Sequence, residues 1–182
     1  MPRSIDYHRL EEDKRSQIRL ESLISAALNA GRPAEVTLDQ ELINRWIAAR
    51  HELWPGEVPS LGFFSRPAIV LEEGNRIRAA ATVEYAGVHS VLSGSIQIEL
   101  DGGVLRITPE EVRIGVLPAP TSFMEDALRS LIEESDSAIL KVVDHHVETR
   151  NEWVWPNGKR LFRIAELSIS DGKVRAVLES LE

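Results

Sequence analysis

Apolar residues in this chain recur first at helical spacing and farther on at two-residue spacing. The first set of apolar residues forms one stripe and predicts a helix that ends at Gly31. The stripe consists of Ile18, Leu20, Leu23, Ile24, Ala27 and Leu28. Residues 6–17 are almost entirely polar, so this part of the helix has no face to bury. We therefore expect residues 1–17 to form a polar stalk or N-terminal extension and residues 18–182 to form a single α+β domain.

A second helix is predicted after Thr37, which is followed by Gln40 at capping-box spacing. Its apolar side chains fall on one face: Leu42, Ile43, Trp46 and Ile47. The next segment, LWPGEVPSLGFFSRP, contains prolines and glycines that prevent regular structure, together with large apolar residues. We expect this loop to lie against another part of the protein.

From Ala68 to Val116 the apolar residues alternate with polar ones, as in strands with one buried and one wet face. Turn sequences divide this region, namely Gly74-Asn75 and Asp101-Gly102-Gly103, so it predicts an array of antiparallel hairpins. The residues assigned to the buried face include Ala79, Ala81 and Gly94. The alternation slips by one residue at Thr108-Pro109-Glu110, which predicts a bulge or a strand break.

Downstream, the proline-bounded LPAPTS and the spacing of Ser122 and Glu125 predict a third helix. Residues 135–150 are compatible with helix or strand, and the apolar spacing fits a helix slightly better. The tail returns to hairpins at Pro156-Asn157-Gly158 and Asp171-Gly172. The predicted fold is α+β, with a curved antiparallel sheet of hairpins and two to four amphipathic helices packed on its apolar face.

Charge and composition then limit the function. The formal net charge of −8 would repel a phosphate backbone, so we expect no nucleic-acid partner. The absence of cysteine excludes disulfides, thiol catalysis and cysteine-based metal sites. No segment approaches the run of about 18 apolar residues that a membrane-spanning helix needs.

The residues contain no catalytic signature. Asp144, His145, His146 and Glu148 have metal-ligand side chains, but adjacent histidines point in different directions from a regular backbone. Ser93-Gly94-Ser95 lacks the strand-to-helix setting of a nucleophile elbow, and its serines fall on the polar face of a strand. We therefore predict no enzyme, no metal site and no cofactor.

Large apolar residues outside the periodic elements either close the core or line a pocket. Small residues at Ala79, Ala81 and Gly94 leave space that a helix or an acyl chain would fill. The predicted lining of a ligand site is Trp46, Phe63, Phe64, Tyr85, Leu117 and Phe123. Two hypotheses follow: a non-enzymatic domain that binds a lipid or another apolar ligand between sheet and helices, or a protein-interaction or scaffold domain with a solid core.

The run Val112–Pro120, VRIGVLPAP, leads into the predicted third helix. It is similar to the strand, Ile-Gly, Leu-Pro-x-Pro and helix arrangement of YpmS-like proteins, which are uncharacterised bacterial membrane-anchored proteins. The segment Thr37–Asn44 resembles the helix that precedes their first strand. The resemblance covers residues 35–135 and implies a curved sheet wrapping helices, as in tubular lipid-binding domains.

The resemblance also implies a location outside the cytoplasm and a tether of one N-terminal transmembrane helix. This sequence contains no such anchor. We therefore expect the extracytoplasmic face of a bacterial membrane if an anchor precedes Met1, and the cytoplasm if the chain is complete as given. The expected partners are a lipid or apolar small molecule, or a protein of the cell envelope, and contact with a membrane would be through the anchor alone.

Overall fold

The computed structural model describes residues 7–53, 64–85, 88–101, 103–120, 140–143, 145–154 and 161–181. Within these ranges the chain forms two helices and eleven strands, and the strands form two antiparallel sheets. The predicted α+β class is confirmed. The hairpins divide into two sheets because the tail pairs with a strand near the start of the chain rather than with the central hairpins.

Helix α1 spans Tyr7–Leu28 and is followed by Gly31 in the left-handed conformation, with a φ of 67°. The predicted end of this helix is confirmed. Its polar first half was expected to be solvated, yet Asp13 is only 3% exposed and Glu12 forms an ion pair of 3.1 Å with Arg45 of the second helix. This half therefore lies against the next helix, and α1 continues without a break past residue 17.

The start of the second helix was predicted wrongly. Strand β1 occupies Ala34–Asp39, and helix α2 spans Gln40–Leu53. The N-cap is Asp39, whose Oδ1 accepts a hydrogen bond of 2.9 Å from the backbone N–H of Leu42. Thr37 instead lies in β1, because the alternating Val36 and Leu38 turn this segment toward pairing with the end of the chain.

The smaller sheet has the strand order β1-β11-β10-β9. Strand β9 spans Trp153–Val154, β10 spans Leu161–Ser170 and β11 spans Lys173–Ser180. The predicted Asp171-Gly172 turn is confirmed, with φ values of 47° and 71°. The second half of α1 packs on this sheet through a core cluster of Ala27, Leu28, Val36 and Leu178.

The larger sheet has the order β2-β3-β4-β5-β8-β7, with a short β6 also paired to β5. Its strands are β2 Phe64–Glu72, β3 Arg76–Tyr85, β4 Val88–Asp101, β5 Val104–Ile114, β6 Leu117–Ala119, β7 Leu140–Val143 and β8 His146–Arg150. The predicted hairpin array is therefore confirmed. The turn at Gly74 and Asn75 has the positive φ values, 74° and 61°, that a tight hairpin turn requires.

The predicted bulge is confirmed in β5. Ser95 pairs with Glu111 and Ile96 pairs with Pro109, so Glu110 is the extra residue of the bulge. This insertion explains the slip in the sequence. The alternating apolar residues before the bulge have odd numbers and those after it have even numbers, and all of them lie on the same face of the sheet.

Residues 135–150 were compatible with helix or strand, and the described part, residues 140–143 and 146–150, forms strands, because β8 pairs with β5 and β7 pairs with β8. The slight preference of the apolar spacing for a helix was misleading. Val116 was expected to continue the preceding strand, but the chain turns back at Gly115 and forms β6. The predicted third helix, the Pro156-Asn157-Gly158 turn and residues 54–63 of the proline-rich loop fall outside the described residues. Residues 64–67 were expected to belong to that irregular loop, but they begin strand β2, because this segment pairs with β3.

Polar side chains join the two sheets. Asn75 bonds to Ile169 of β10 twice: its Oδ1 accepts from the Ile169 N–H at 2.7 Å, and its own N–H donates to the Ile169 carbonyl at 3.2 Å. Asn151, which is buried, bonds to both backbone groups of Ile164, at 2.6 and 3.0 Å, and its N–H donates to the carbonyl of Gly103. Of the described helices, neither is long and apolar enough to cross a membrane.

Candidate functional site

The two faces of the larger sheet differ sharply in chemistry. The register across β2, β3, β4 and β5 places most of the apolar positions on one face: Ile69, Leu71, Ile77, Ala79, Leu92, Gly94, Ile96, Ile98, Leu105, Ile107, Pro109, Val112 and Ile114. The opposite face carries the exposed Val70 and Val91 together with the charged and hydroxyl side chains: Glu72, Arg76, Arg78, Ser93, Ser95, Glu99, Arg106, Glu111 and Arg113. Among the described positions of the apolar face, none is charged.

One end of the apolar face is covered and the other is open. Near the Gly74-Asn75 turn, Leu71 is 4% exposed and the smaller sheet is bonded to the turn. At the other end, two adjacent rows cross the sheet. One contains Ala79, Gly94, Val112 and Ala119, and the next contains Leu92, Ile114 and Leu117. We call Ala79, Leu92, Ile114 and Leu117 the distal patch.

Exposure within the distal patch is high for apolar side chains of a sheet. Ile114 is 40% and Leu117 is 69% exposed, and Ala79 is also exposed. Ala79 was expected on a buried face, but its row neighbour Gly94 has no side chain to cover it. Val112, in the same row, is only 2% exposed, so the row is open over β3 and closed over β5.

The turn that carries Leu117 has a specific backbone requirement. Gly115 and Val116 form a two-residue connection between the paired residues Ile114 and Leu117. Gly115 has a φ of 62°, and its N–H donates to the carbonyl of Val91 at 2.7 Å. A glycine at the first central position suits such a turn, and it leaves the side chain of Val116 87% exposed.

The predicted ligand residues are distributed over the sheet and α2. Trp46 is half-buried in α2, which packs on β2, whereas Leu117 begins β6 beside β5, with β3 and β4 in between. Phe64 and Tyr85 lie in β2 and β3, but their side chains are outside the described part of the structure, as are Phe63 and Phe123 entirely. The proposed lining of these six residues therefore stays a prediction.

The sequence reasoning missed Ile114 and Ala119 as candidate site residues. Ile114 was read as an ordinary buried strand position, and Ala119 as part of a proline-bounded connection. The signal that could have identified them is Gly115. Glycine followed by one residue and then an apolar position is compatible with a tight hairpin as well as with a continuing strand.

The polar face contains a linked cluster of ionisable groups. Glu148 Oε1 lies 3.1 Å from His146 Nε2 and 3.2 Å from Arg106 Nη2, and Arg106 also contacts Glu99 at 3.6 Å. The hydrogen bond with His146, and then that with Arg106, lowers the pKa of Glu148 below its ordinary value. Within the described residues, no group of metal-ligand side chains could hold an ion.

The serines near the centre of β4 have a different environment from the one predicted. Ser95 is only 4% exposed, although it lies on the polar face, because its row neighbours Arg78 and Glu111 have much longer side chains. Neither Ser93 nor Ser95 lies in a strand-to-helix turn, since both are central residues of a strand. The described geometry of this segment thus lacks the setting of a nucleophile elbow.

A second polar cluster lies between the two helices. Arg45 Nη2 contacts Glu41 at 2.7 Å and Arg45 Nη1 contacts Glu12 at 3.1 Å. These hydrogen bonds, that with Glu41 first, raise the pKa of Arg45 above its ordinary value. The cleft beside them has a volume of about 460 Å³ and is lined entirely by polar side chains apart from Ala48.

Comparison of the chain with protein-family models, with curated proteins and with solved structures found no match.

Proposed function

We propose that this domain is a non-enzymatic binding module that takes up an apolar ligand, such as a lipid acyl chain, against the distal patch. The observation that carries this proposal is the exposure of Ile114 and Leu117 beside the small residues Ala79 and Gly94, on a face without charges among its described positions. Apolar surface of this kind gains about 25 cal/mol per Å² when it is covered.

The shape of the sheet at this point also favours an apolar guest. The row of Ala79, Gly94, Val112 and Ala119 has shorter side chains than the rows on either side of it. Because Val112 closes the row over β5, its open part is the segment over Ala79 and Gly94, on two neighbouring strands about 4.8 Å apart. A short run of methylene groups fits there, with Leu92, Ile114 and Leu117 of the next row beside it.

Co-purifying lipid is the direct test. A native sample is extracted with organic solvent and analysed by mass spectrometry, and the delipidated protein is titrated with a lipophilic fluorescent probe. We expect a stoichiometric lipid and a saturable rise in fluorescence. A clean extract together with no probe binding would contradict the proposal.

A matched pair of variants locates the ligand. Ala79→Trp fills the exposed position on the apolar face, and we expect it to abolish most of the probe binding with little loss of stability. Ala80→Trp places the same side chain on the opposite face and should leave probe binding unchanged. Ala81→Trp tests the half-buried neighbour, where overpacking should also destabilise the fold by about 1 to 3 kcal/mol.

A protein-interaction or scaffold domain is the second candidate. It is favoured by Val116, whose side chain at the tip of a tight turn is 87% exposed and beside Leu117. Val116→Ser should weaken association with a protein partner but leave uptake of the lipophilic probe intact. The location on the extracytoplasmic face of a bacterial membrane stays a prediction from the family resemblance.

A further inference from the structure

The polar face of the larger sheet contains a groove over the middle of β4. Small residues, Ser93, Gly94 and Ser95, follow one another along this strand, while long side chains stand beside them at Arg78 of β3 and at Glu111 and Arg113 of β5. Arg78 is in register with Ser95, and Arg113 is in register with Ser93, so the two arginines stand diagonally across β4. The groove between them has a volume of about 190 Å³.

The lining of this groove is cationic in a chain that is acidic as a whole. It contains two guanidinium groups, those of Arg78 and Arg113, and one carboxylate, that of Glu111. Both arginine side chains are 51% exposed, so they are accessible to a solute. A second carboxylate, that of Glu72, pairs with Arg78 from outside the lining.

These two arginines are less completely paired than their neighbours. Arg76 binds both carboxylate oxygens of Glu110, at 2.6 and 3.2 Å. Within the described part of the chain, Arg78 contacts Glu72 at 3.1 Å, and Arg113 directs Nε and Nη2 to one oxygen of Glu111, with Nε at 2.7 Å. Because a guanidinium has five N–H donors, most donors of Arg78 and Arg113 are not used in these described contacts.

We propose that this groove binds a small oxyanion, a carboxylate or a phosphate group, between Arg78 and Arg113. The planar fork of donors on each guanidinium matches the oxygens of such groups, and the hydroxyl of Ser93 supplies a further donor. The volume admits inorganic phosphate or a small dicarboxylate. The site lies on the face opposite the distal patch and is independent of the apolar ligand proposed above.

Glu111 acts as an internal competitor in this site, since its carboxylate holds Arg113 when no ligand is bound. Removing that carboxylate therefore gives a prediction in the opposite direction from removing the arginines. Glu111→Gln should tighten anion binding several-fold. Arg78→Gln and Arg113→Gln should each weaken it by about tenfold or more, because each deletes a charged donor pair.

The test is a titration of the full chain, labelled with nitrogen-15, with inorganic phosphate and separately with succinate at constant ionic strength. We expect saturable shifts of the amide signals of Ser93, Gly94 and Ser95 and of the arginine Nε–H signals. Arg163→Gln is the matched control: Arg163 is an exposed arginine of the smaller sheet, paired with Glu179 at 2.7 Å. It should leave the titration unchanged.

A flotation assay with phosphatidylcholine vesicles that contain phosphatidic acid separates two sources of the phosphate group. Flotation that requires Arg78 and Arg113 would identify a lipid headgroup, and saturation by free anion without flotation would identify a soluble ligand. The proposal is overturned if the shifts do not saturate, or if Arg163→Gln weakens binding as much as the groove variants do. Tighter binding by Glu111→Gln supports it even if an arginine variant fails to fold.

Discussion

The side-chain amide of Asn44 in α2 is hydrogen-bonded to both backbone polar groups of Ile69 in β2. Nδ2 donates to the carbonyl oxygen at 2.9 Å, and Oδ1 accepts from the N–H at 2.7 Å. The neighbouring Gln40 accepts from the N–H of Leu71 at 2.8 Å in the same way. Since β2 is an edge strand, α2 supplies the pairing that another strand would otherwise provide.

Asn44→Ala should therefore reduce the free energy of unfolding by about 1 to 3 kcal/mol, because it leaves a partly buried N–H and carbonyl without their partner. Urea titration followed by circular dichroism measures this loss. The exposed edge should also make the variant associate at high concentration, which light scattering detects. Asn29→Ala, an exposed position after α1, is the control and should change stability by less than about 0.5 kcal/mol. Equal effects of the two variants would contradict this role of Asn44.

Asn75 combines two requirements that substitutions can separate. Its φ of 61° favours glycine or asparagine, and its side chain accepts the bond from Ile169 that joins the two sheets. Asn75→Gly keeps the backbone conformation and loses only the side-chain bond, so we expect a loss of about 1 kcal/mol. Asn75→Ala adds the strain of a left-handed backbone and should lose about 2 to 3 kcal/mol in total. Urea unfolding measures both losses. If the glycine variant had the same free energy of unfolding as the parent, the side-chain bond to Ile169 would not contribute to stability.

The cluster around Glu148 predicts a dependence of stability on pH. Its pKa is lowered by His146 and then by Arg106, so the folded protein holds this proton less tightly than the unfolded chain does. The stabilisation is therefore complete above the unfolded pKa of about 4.3 and is lost as the pH falls through the folded pKa. Glu148→Gln should be less stable than the parent near neutral pH, and the difference should disappear in acid.

Thermal unfolding of both proteins between about pH 7 and pH 3 measures this effect. Glu152→Gln, which removes an exposed carboxylate four residues along the chain, is the matched control and should follow the parent at every pH. A difference between parent and Glu148→Gln that stays constant across the range would contradict the assignment, because it would not depend on the ionised carboxylate.

Features fixed by local chemistry could be predicted from the sequence. The turns at Gly74-Asn75 and Asp171-Gly172 need positive φ values, which only a few residue types adopt easily, and both were identified. The bulge was visible because the apolar alternation changes phase at Glu110. The alternating faces of the larger sheet followed from the same two-residue period.

Features decided by pairing with distant strands could not be predicted. β1 is a strand because residues 34–39 pair with residues 173–178. The local sequence gives no comparable signal for a strand, and the capping-box spacing of Thr37 and Gln40 instead favours a helix start. Strands β7 and β8 depend in the same way on β5. At the candidate site, Leu117 was identified as an unusual apolar residue, but its position beside Ile114 depends on the turn at Gly115.

The bulge itself gives the last prediction. Because Glu110 is the extra residue, its deletion joins Pro109 directly to Glu111 and leaves every other residue of β5 on its present face and in its present pairing. The deletion should lose little stability beyond that of the exposed ion pair with Arg76, about 0 to 1 kcal/mol, which Glu110→Ala measures separately.

Deletion of Thr108 is the matched control. It shortens the same strand by the same length but places the Glu110 carboxylate opposite Ile96, on the apolar face. It should destabilise the protein by several kcal/mol or prevent folding. Urea unfolding of the two deletion variants tests this directly. Equal stability of the two would contradict the assignment of Glu110 as the extra residue of the bulge.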